Sequence, residues 1–481
     1  MNKAKIVTNF IWRFSERVGA QVVGLLVSFI LARLLEPTVY GTIALVNVFL
    51  TILQVFVDSG LGTALIQKKE ADQVDFSSVF YFNILMSIVI YIALFFAAPL
   101  IADFYDNQEM IAIIRVVSVI VLISGVRGIQ QAYVSRTGEF KKFFVSTLIA
   151  TLLSAVIGIY MAYNGFGVWA LVAQSISSAA IGTVILWVTV KWRPTLQFSF
   201  ERLKGLLGYG WKILGSSLII SIYANLRQLL IGKIYTTEDL AYYNKGNEIP
   251  NKIVPNIEAS VTSVLLPAVS QQQDDLNSVK ETTRKTVKTM SFAMWPMMLG
   301  MAACAENLIE LLLTEKWLPS VSYLQVFCVE AVIWPISSVY YNSINAIGRS
   351  DINLKIQLVV RSVGIVILFL AIKQGVFFIA LTSLIVSLLE FSIVSMINRK
   401  LISYKLKEQV RDIVPSMLLA LAMGAVVLGV GYFNFSNLVS LVLQVAVGVA
   451  VYCLGAYILK FEAFRFILKL LSGITRKFKR G

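Results

Sequence analysis

Residues 242–260 read YYNKGNEIPNKIVPNIEAS, and whether this stretch crosses a bilayer decides how the whole chain is laid out. By hydropathy alone it does not cross, since asparagines, lysines and a glutamate interrupt it every few positions. Its surroundings argue otherwise. The 481-residue chain is 57% apolar and only 14% charged, with a mean hydropathy of +0.77. Soluble domains carry about 25% charged residues, so this composition leaves too little polar surface to cover a soluble fold.

On either side of 242–260 lie apolar runs long enough to span roughly 30 Å of hydrocarbon at about 20 residues each. Backbone polar groups in lipid are satisfied only within a segment or in a closed barrel. The runs show no ~10-residue alternation of the barrel kind, so they are read as helices. Counting the polar stretch as the eighth gives fourteen spans, near 6–32, 41–66, 76–98, 109–133, 144–164, 168–190, 208–234, 242–269, 287–314, 321–346, 355–373, 377–398, 412–432 and 438–460. Omitting it would invert every later loop.

The charges forbid that inversion. Counting a charge at the very end of a span with the loop it adjoins, 29 of 42 Lys and Arg fall on one side of this topology, four (Arg33, Lys233, Lys316 and Lys373) on the other, and nine within spans. The lysine-rich side is cytoplasmic by the positive-inside bias, which places both termini in the cytoplasm. The net charge of +15 is therefore read as topology anchoring and attraction to anionic membrane lipids, not nucleic-acid binding. The first apolar run lacks a small-residue cleavage pattern and is read as a retained span.

Catalytic chemistry has few residues to work with. There is no histidine, and Cys304, Cys328 and Cys453 sit in apolar segments without metal-ligand spacing. No metal site and no cofactor is expected. The loops are short, so no soluble domain is inserted.

An internal repeat organises the spans. RTGEFKK from Arg136 and NGFGVWAL from Asn164 are answered by AIGRSDINLK from Ala346 and QGVFFIAL from Gln374, and Gly138/Gly348 and Gly165/Gly375 are both offset by 210 residues. An even number of spans per unit makes the repeat parallel, a transporter architecture. The expected domains are a six-helix lobe at 1–200, a second at 201–400, two further helices at 401–460 and a basic tail at 461–481.

The stretch NFIWRFSERVGAQVVGLLVSFILARLLEPTVYGTIALVNVF from Asn9, DSGLGTALIQ from Asp58 and AIGRSDINLK at 346–355 resemble the polysaccharide and O-antigen flippases. These belong to the multidrug/oligosaccharidyl-lipid/polysaccharide exporter superfamily, which also contains the multidrug MATE transporters. The likeness is closest to the colanic-acid and teichuronic-acid exporter branch. It implies an all-α polytopic fold and a non-enzymatic activity. That activity is transfer of an undecaprenyl-pyrophosphate-linked oligosaccharide across the bacterial inner membrane by alternating access. The partners it implies are that lipid-linked substrate, membrane lipids, and contact with a polysaccharide polymerase or glycosyltransferases.

Ionisable residues inside spans are costly and mark candidate sites. Arg13 and Arg17 share one helical face, and Arg127 and Arg227 lie deep in theirs; with a pyrophosphate substrate, all four are candidates to hold it bidentately. Asn247, Asn251 and Lys252 fall on one polar stripe of the eighth span, suited to sugar hydroxyls or to an interhelical seam. Lys212, Lys245 and Arg361, near span ends, are expected to snorkel to headgroups. Asp58 and Glu330 are candidates for ion coupling. Pro250, Pro255, Pro296 and Pro335 are candidate hinges or fixed kinks. Eight acids also lie within spans, so charge alone does not establish an anion site. Two alternatives remain: a multidrug/cation antiporter of the same superfamily, and a membrane-embedded glycan polymerase, ligase or glycosyltransferase.

Overall fold

A computed structural model describes the backbone over residues 3–58, 60–270, 275–433 and 435–465, and side chains over the same stretches except 3–18, 260, 263–264 and 266–268. No strand occurs among the described residues. In chain order the helices are α1 (Lys3–Leu34), α2 (Pro37–Asp58), α3 (Leu61–Gln67), α4 (Gln73–Phe104), α5 (Glu109–Val117), α6 (Val119–Thr137), α7 (Phe140–Tyr163), α8 (Val168–Thr189), α9 (Phe200–Ile234) and α10 (Thr237–Ser270). They continue as α11 (Leu276–Ala303), α12 (Ala305–Leu313), α13 (Ser320–Ala346), α14 (Ser350–Ala371), α15 (Val376–Leu401), α16 (Leu406–Gly431) and α17 (Asn437–Ile458).

Every stretch read as a span coincides with one helix or a consecutive pair. Among the described residues eleven helices, with α5 and α6 taken as one, are long and apolar enough to cross a membrane; the bent pair α11–α12 makes twelve. Two stretches fall outside this measure. In α1 the side chains are described only from Gly19, and in α10 those of 260, 263–264 and 266–268 are not described.

Local chemistry explains the ends. Asp72 and Asp75 form a reciprocal capping box at the start of α4, each side chain accepting the other's backbone N–H, which satisfies two otherwise orphaned donors. Ser199 caps α9 through Arg202 N–H, and Asp275 caps α11 through the N–H groups of Asn277 and Ser278. The four glycines of the sequence repeat behave alike. Gly138 and Gly348 follow α6 and α13 with φ of 71° and 76°, and Gly165 and Gly375 precede α8 and α15 with φ of 77° and 121°. Only glycine enters that region without a Cβ penalty, so the repeat is a repeat of turns. The prolines do not break their helices: α10, α11 and α13 run on through Pro250, Pro255, Pro296 and Pro335. The sharp bend, 67°, lies between α11 and α12 at Cys304.

By compactness the chain divides into Met1–Ala241 and Tyr242–Gly481. In the first unit α9 lies along α2, α3 and α4. The contact is tight enough that a Cβ on Gly232 would stand 2.3 Å from Leu45 Cδ2. At the break between α2 and α3, Gly60 has φ 67°, and a Cβ there would sit 2.6 Å from the Gly210 carbonyl of α9. A core of Leu61, Leu65, Phe76, Phe80, Ile129, Leu186 and Trp192 gathers around α3. In the second unit α16 packs on α11 and α17, and Phe292, Met423, Val427 and Tyr452 join them.

Candidate functional site

The polar groups of the first unit gather at the α2–α3 break. Asp58 ends α2, with Gln54 Nε2 donating to its Oδ1 at 3.3 Å. It lines a cavity of about 430 Å³ together with Thr63 of α3, Asn83 of α4, Gln131 and Ser135 of α6 and Ser217 of α9. Asn83 is buried, and its Oδ1 has no hydrogen-bond partner among the described residues. Asn83, Gln131 and Ser135 were absent from the sequence-based candidates. The signal was present for Asn83, an amide inside the apolar run YFNILMSIV, but attention to charge passed over it.

Just beyond the break, α3 is held by its C-terminal carbonyls. Arg136 donates to the carbonyls of Leu65 (2.6 Å), Lys68 (2.6 Å) and Lys69 (2.9 Å). A guanidinium satisfies several orphaned carbonyls at once, so one arginine caps the helix. Lys68 in turn donates to both carboxylate oxygens of the fully buried Asp75 at 2.7 Å. Asp72 pairs with Arg202 of α9. Its carboxyl is pulled down to about 2, chiefly by the Arg202 hydrogen bond and then by the Asp75 backbone N–H.

Among the expected cations, Arg127 lies against α8: a Cβ on Gly182 would be 3.7 Å from its guanidinium carbon. Arg227 is half-buried on α9. Arg115 donates to the Phe95 carbonyl and stacks 4.2 Å over the Phe95 ring. The side chains of Arg13 and Arg17 lie outside those described.

In the second unit, α10 resolves its polarity internally. Glu248 accepts from Lys245 at 2.7 Å and from Lys252 at 2.6 Å, one turn on either side. Lys252 is therefore tied to the carboxylate four residues before it, on the same helical face. Lys245 is a correction: it does not snorkel. It is 4% exposed and stands 5.7 Å from the ring centroid of Trp317. The physical reason is the neighbouring carboxylate, which makes burial of the ammonium tolerable where snorkelling would have been required. Asn247 is half-buried and Asn251 exposed. The helix approaches α13 closely, since a Cβ on Gly246 would lie 2.6 Å from Tyr323 Cβ, and Tyr243 meets Phe327 edge-on at 5.1 Å.

Three further acids of this unit accept mainly from hydroxyls. Glu330 of α13 accepts from Ser383 (2.8 Å) and Ser387 (3.2 Å) of α15. Glu390 accepts from Tyr341 (2.7 Å) and Gln357 (3.2 Å), and Glu258 from Ser338 and Thr262. Asp58 and Glu330 thus lie in different units and in different surroundings. The first opens onto a cavity; the second is wrapped by serines.

This architecture has relatives. A family model described as "Polysaccharide biosynthesis protein" matches residues 30–322. The teichuronic acid biosynthesis protein TuaB of Bacillus subtilis is 24% identical over 409 residues, covering 83% of this chain and 84% of that protein. The succinoglycan biosynthesis transport protein ExoT of Rhizobium meliloti is 25% identical over 320 residues, 66% of this chain and 64% of that one. Among solved structures, the lipid II flippase MurJ in an inward closed conformation superposes with a TM-score of 0.77 at 14% identity, covering 95% of this chain and 99% of that chain. An inward-facing MATE family transporter of the MOP superfamily gives 0.63 at 16% identity, over 82% and 98%. The expected MOP/MATE-like all-α fold is present, and the resemblance read from the sequence motifs holds. The chain is a multi-pass membrane protein and belongs to the polysaccharide biosynthesis protein family.

Proposed function

We propose that this chain is a flippase that moves an undecaprenyl-pyrophosphate-linked oligosaccharide from the cytoplasmic to the outer leaflet of a bacterial cytoplasmic membrane by alternating access. The observation that carries this reading is the polysaccharide-family match on a chain built of membrane-length helices. The transport named for ExoT and the flipping of lipid II named for MurJ support it. The multidrug/cation antiporter alternative rests on the fold alone. The protein acts as a carrier and not as an enzyme in this reading, and the two lobes expected from the repeat are its moving parts. A polymerase or glycosyltransferase that takes over or supplies the glycan is its natural neighbour.

In this proposal Arg13, Arg17, Arg127 and Arg227 hold the pyrophosphate, and Asn247, Asn251 and Lys252 serve the glycan. A charge-assisted hydrogen bond contributes about 1.5–3 kcal/mol, so each Arg→Ala change is expected to weaken substrate binding roughly ten- to a hundredfold. Arg→Lys restores only part, because the point charge returns without the bidentate fork. Complementation of glycan export, with membrane levels measured in parallel, checks this. Parental export by all four well-inserted Ala variants would remove the arginines from the mechanism.

Orientation follows from the lysine and arginine asymmetry. Cysteines placed beside Lys68, Arg136, Arg284, Arg349 and Lys400, in the turns or on the helix ends that hold them, are expected to be shielded from an impermeant thiol reagent added to whole cells and labelled after permeabilisation. Labelling beside Arg284, near the start of α11, in intact cells would show that α10 does not cross, and both termini could not then be cytoplasmic.

A further inference from the structure

At the α2–α3 break, polar side chains of the first unit converge on a cavity. Its chemistry narrows what it can hold. Six side chains bring oxygen or amide groups to it from five helices: Asp58, Thr63, Asn83, Gln131, Ser135 and Ser217. No lysine or arginine occurs among the described residues that line it. A pyrophosphate would therefore meet a carboxylate and no counter-charge, and is disfavoured.

A bare metal ion fits poorly as well. Hard cations need several oxygens converging at roughly 2.0–2.6 Å, whereas these groups are spread around some 430 Å³. That volume lies in the range of small-molecule sites, about 300–1,000 Å³. The donor and acceptor inventory is mixed. A carboxylate accepts only, amides both donate and accept, and hydroxyls do either. A ligand that offers hydroxyls in both senses matches this set. Asn83 sharpens the point. It is 4% exposed and on the cavity wall, yet its Oδ1 has no partner among the described residues. A buried acceptor without a donor is costly, and a hydroxyl entering the cavity supplies the donor.

The walls are set before anything enters. Gln54 orients Asp58. A Cβ on Gly125 would stand 2.5 Å from Ser87 Oγ, so α4 and α6 are in close contact beside Asn83. Gly60 presses the break against α9, and Arg136 clamps the end of α3. Such prior ordering reduces the entropy lost on binding.

We propose that the cavity lined by Asp58, Asn83, Gln131 and Ser135 is a saccharide subsite that takes hydroxyls of the glycan, separate from whatever holds the pyrophosphate. The assignment rests on the flippase reading and adds to it the part of the substrate that the first unit recognises. Asp58 and Asn83 accept from sugar hydroxyls, while Gln131 and the serines donate or accept according to the sugar presented.

Cysteine protection tests it. Cys304 and Cys328 are buried and Cys453 is exposed, so the background is Cys453→Ser, with Ser135→Cys as reporter in lipid nanodiscs. Three probes are compared: the oligosaccharide released by mild acid from the host's own lipid-linked intermediate, inorganic pyrophosphate, and sodium chloride. The oligosaccharide is expected to slow maleimide labelling at residue 135, and the other two to leave the rate unchanged. Asp58→Asn and Asn83→Leu should each raise the concentration needed for half-protection roughly tenfold. Their folding is checked by thermal unfolding, and Asp58→Asn carries the comparison if Asn83→Leu does not fold. Protection by pyrophosphate or sodium in place of the oligosaccharide would overturn the assignment, as would equal protection in both variants. Transfer of lipid-linked oligosaccharide is measured on the same reporter and its parent. Transfer without protection sinks the subsite alone; neither transfer by the parent nor protection sinks the flippase reading with it.

Discussion

Replacing Glu248 by leucine is expected to remove most of the folded protein from the membrane. Glu248 is the shared partner of Lys245 and Lys252, at 2.7 and 2.6 Å. Lys252 is partly exposed and would find water or headgroups. Lys245, at 4% exposure, would find neither, and the face of Trp317 is a weak substitute for a carboxylate. Breaking a buried ion pair from one side costs about 3–5 kcal/mol, because the remaining charge is left uncompensated. That is a large part of a typical protein's net stability of roughly 5–15 kcal/mol. Removing both charges is a different matter, and Lys245→Met with Glu248→Leu should recover much of the loss. The melting temperature in detergent and the membrane level report the outcome. If the single variant melts with the parent and the double is no better, the triad contributes nothing to the fold.

A loss of similar size is expected from Asp412→Ala. Asp412 sits near the start of α16, 4% exposed, and accepts from Arg284 of α11 through Nε (2.8 Å) and Nη2 (3.2 Å). It also accepts from the buried Tyr404 hydroxyl at 2.7 Å, with Lys288 at 3.6 Å. Its removal takes the buried acceptor from the Tyr404 phenol and the buried carboxylate from Arg284 and Lys288, which keep Glu281 (3.3 Å) and Glu462 (2.8 Å), so the loss is expected at about 3 kcal/mol. The damage should concentrate where α16 packs on α11, read as faster proteolysis of the 402–405 connection and a lower melting temperature. Lys288 provides the contrast. Its second partner, Glu462, is 81% exposed, so Glu462→Ala should change stability by no more than about 0–1 kcal/mol. Equal effects of Asp412→Ala and Glu462→Ala would mean that burial does not set the strength of this network.

Much of this protein was legible along the chain. All fourteen stretches read as spans are helical, because a long apolar run in lipid has one means of satisfying its backbone and needs no distant partner to do so. The paired glycines were legible for a similar reason. A turn with φ above 70° is a local demand, and Gly138, Gly165, Gly348 and Gly375 meet it in place. The Glu248–Lys252 pair followed from helical spacing, since residues four apart share a face.

What the chain alone could not determine is which polar side chains meet. Glu258 is satisfied by Ser338, 80 residues away, and Glu330 by Ser383, 53 residues away. Arg136 was read as one more cytoplasmic charge, and in the fold it caps a helix that ends some 70 residues earlier. Asn83, Gln131 and Ser135 carry no charge to draw notice, and they become a site only when α4 and α6 bring them to the cavity where α2 ends. Lys245 shows the same limit most directly. Its distance from the span end is a property of the sequence and pointed to the headgroups, but its energy depends on the dielectric and the carboxylate around it. Those exist only after α10 has packed against α13, because burial and electrostatic pairing are properties of neighbours in space, and hydropathy assigns each residue a value without them.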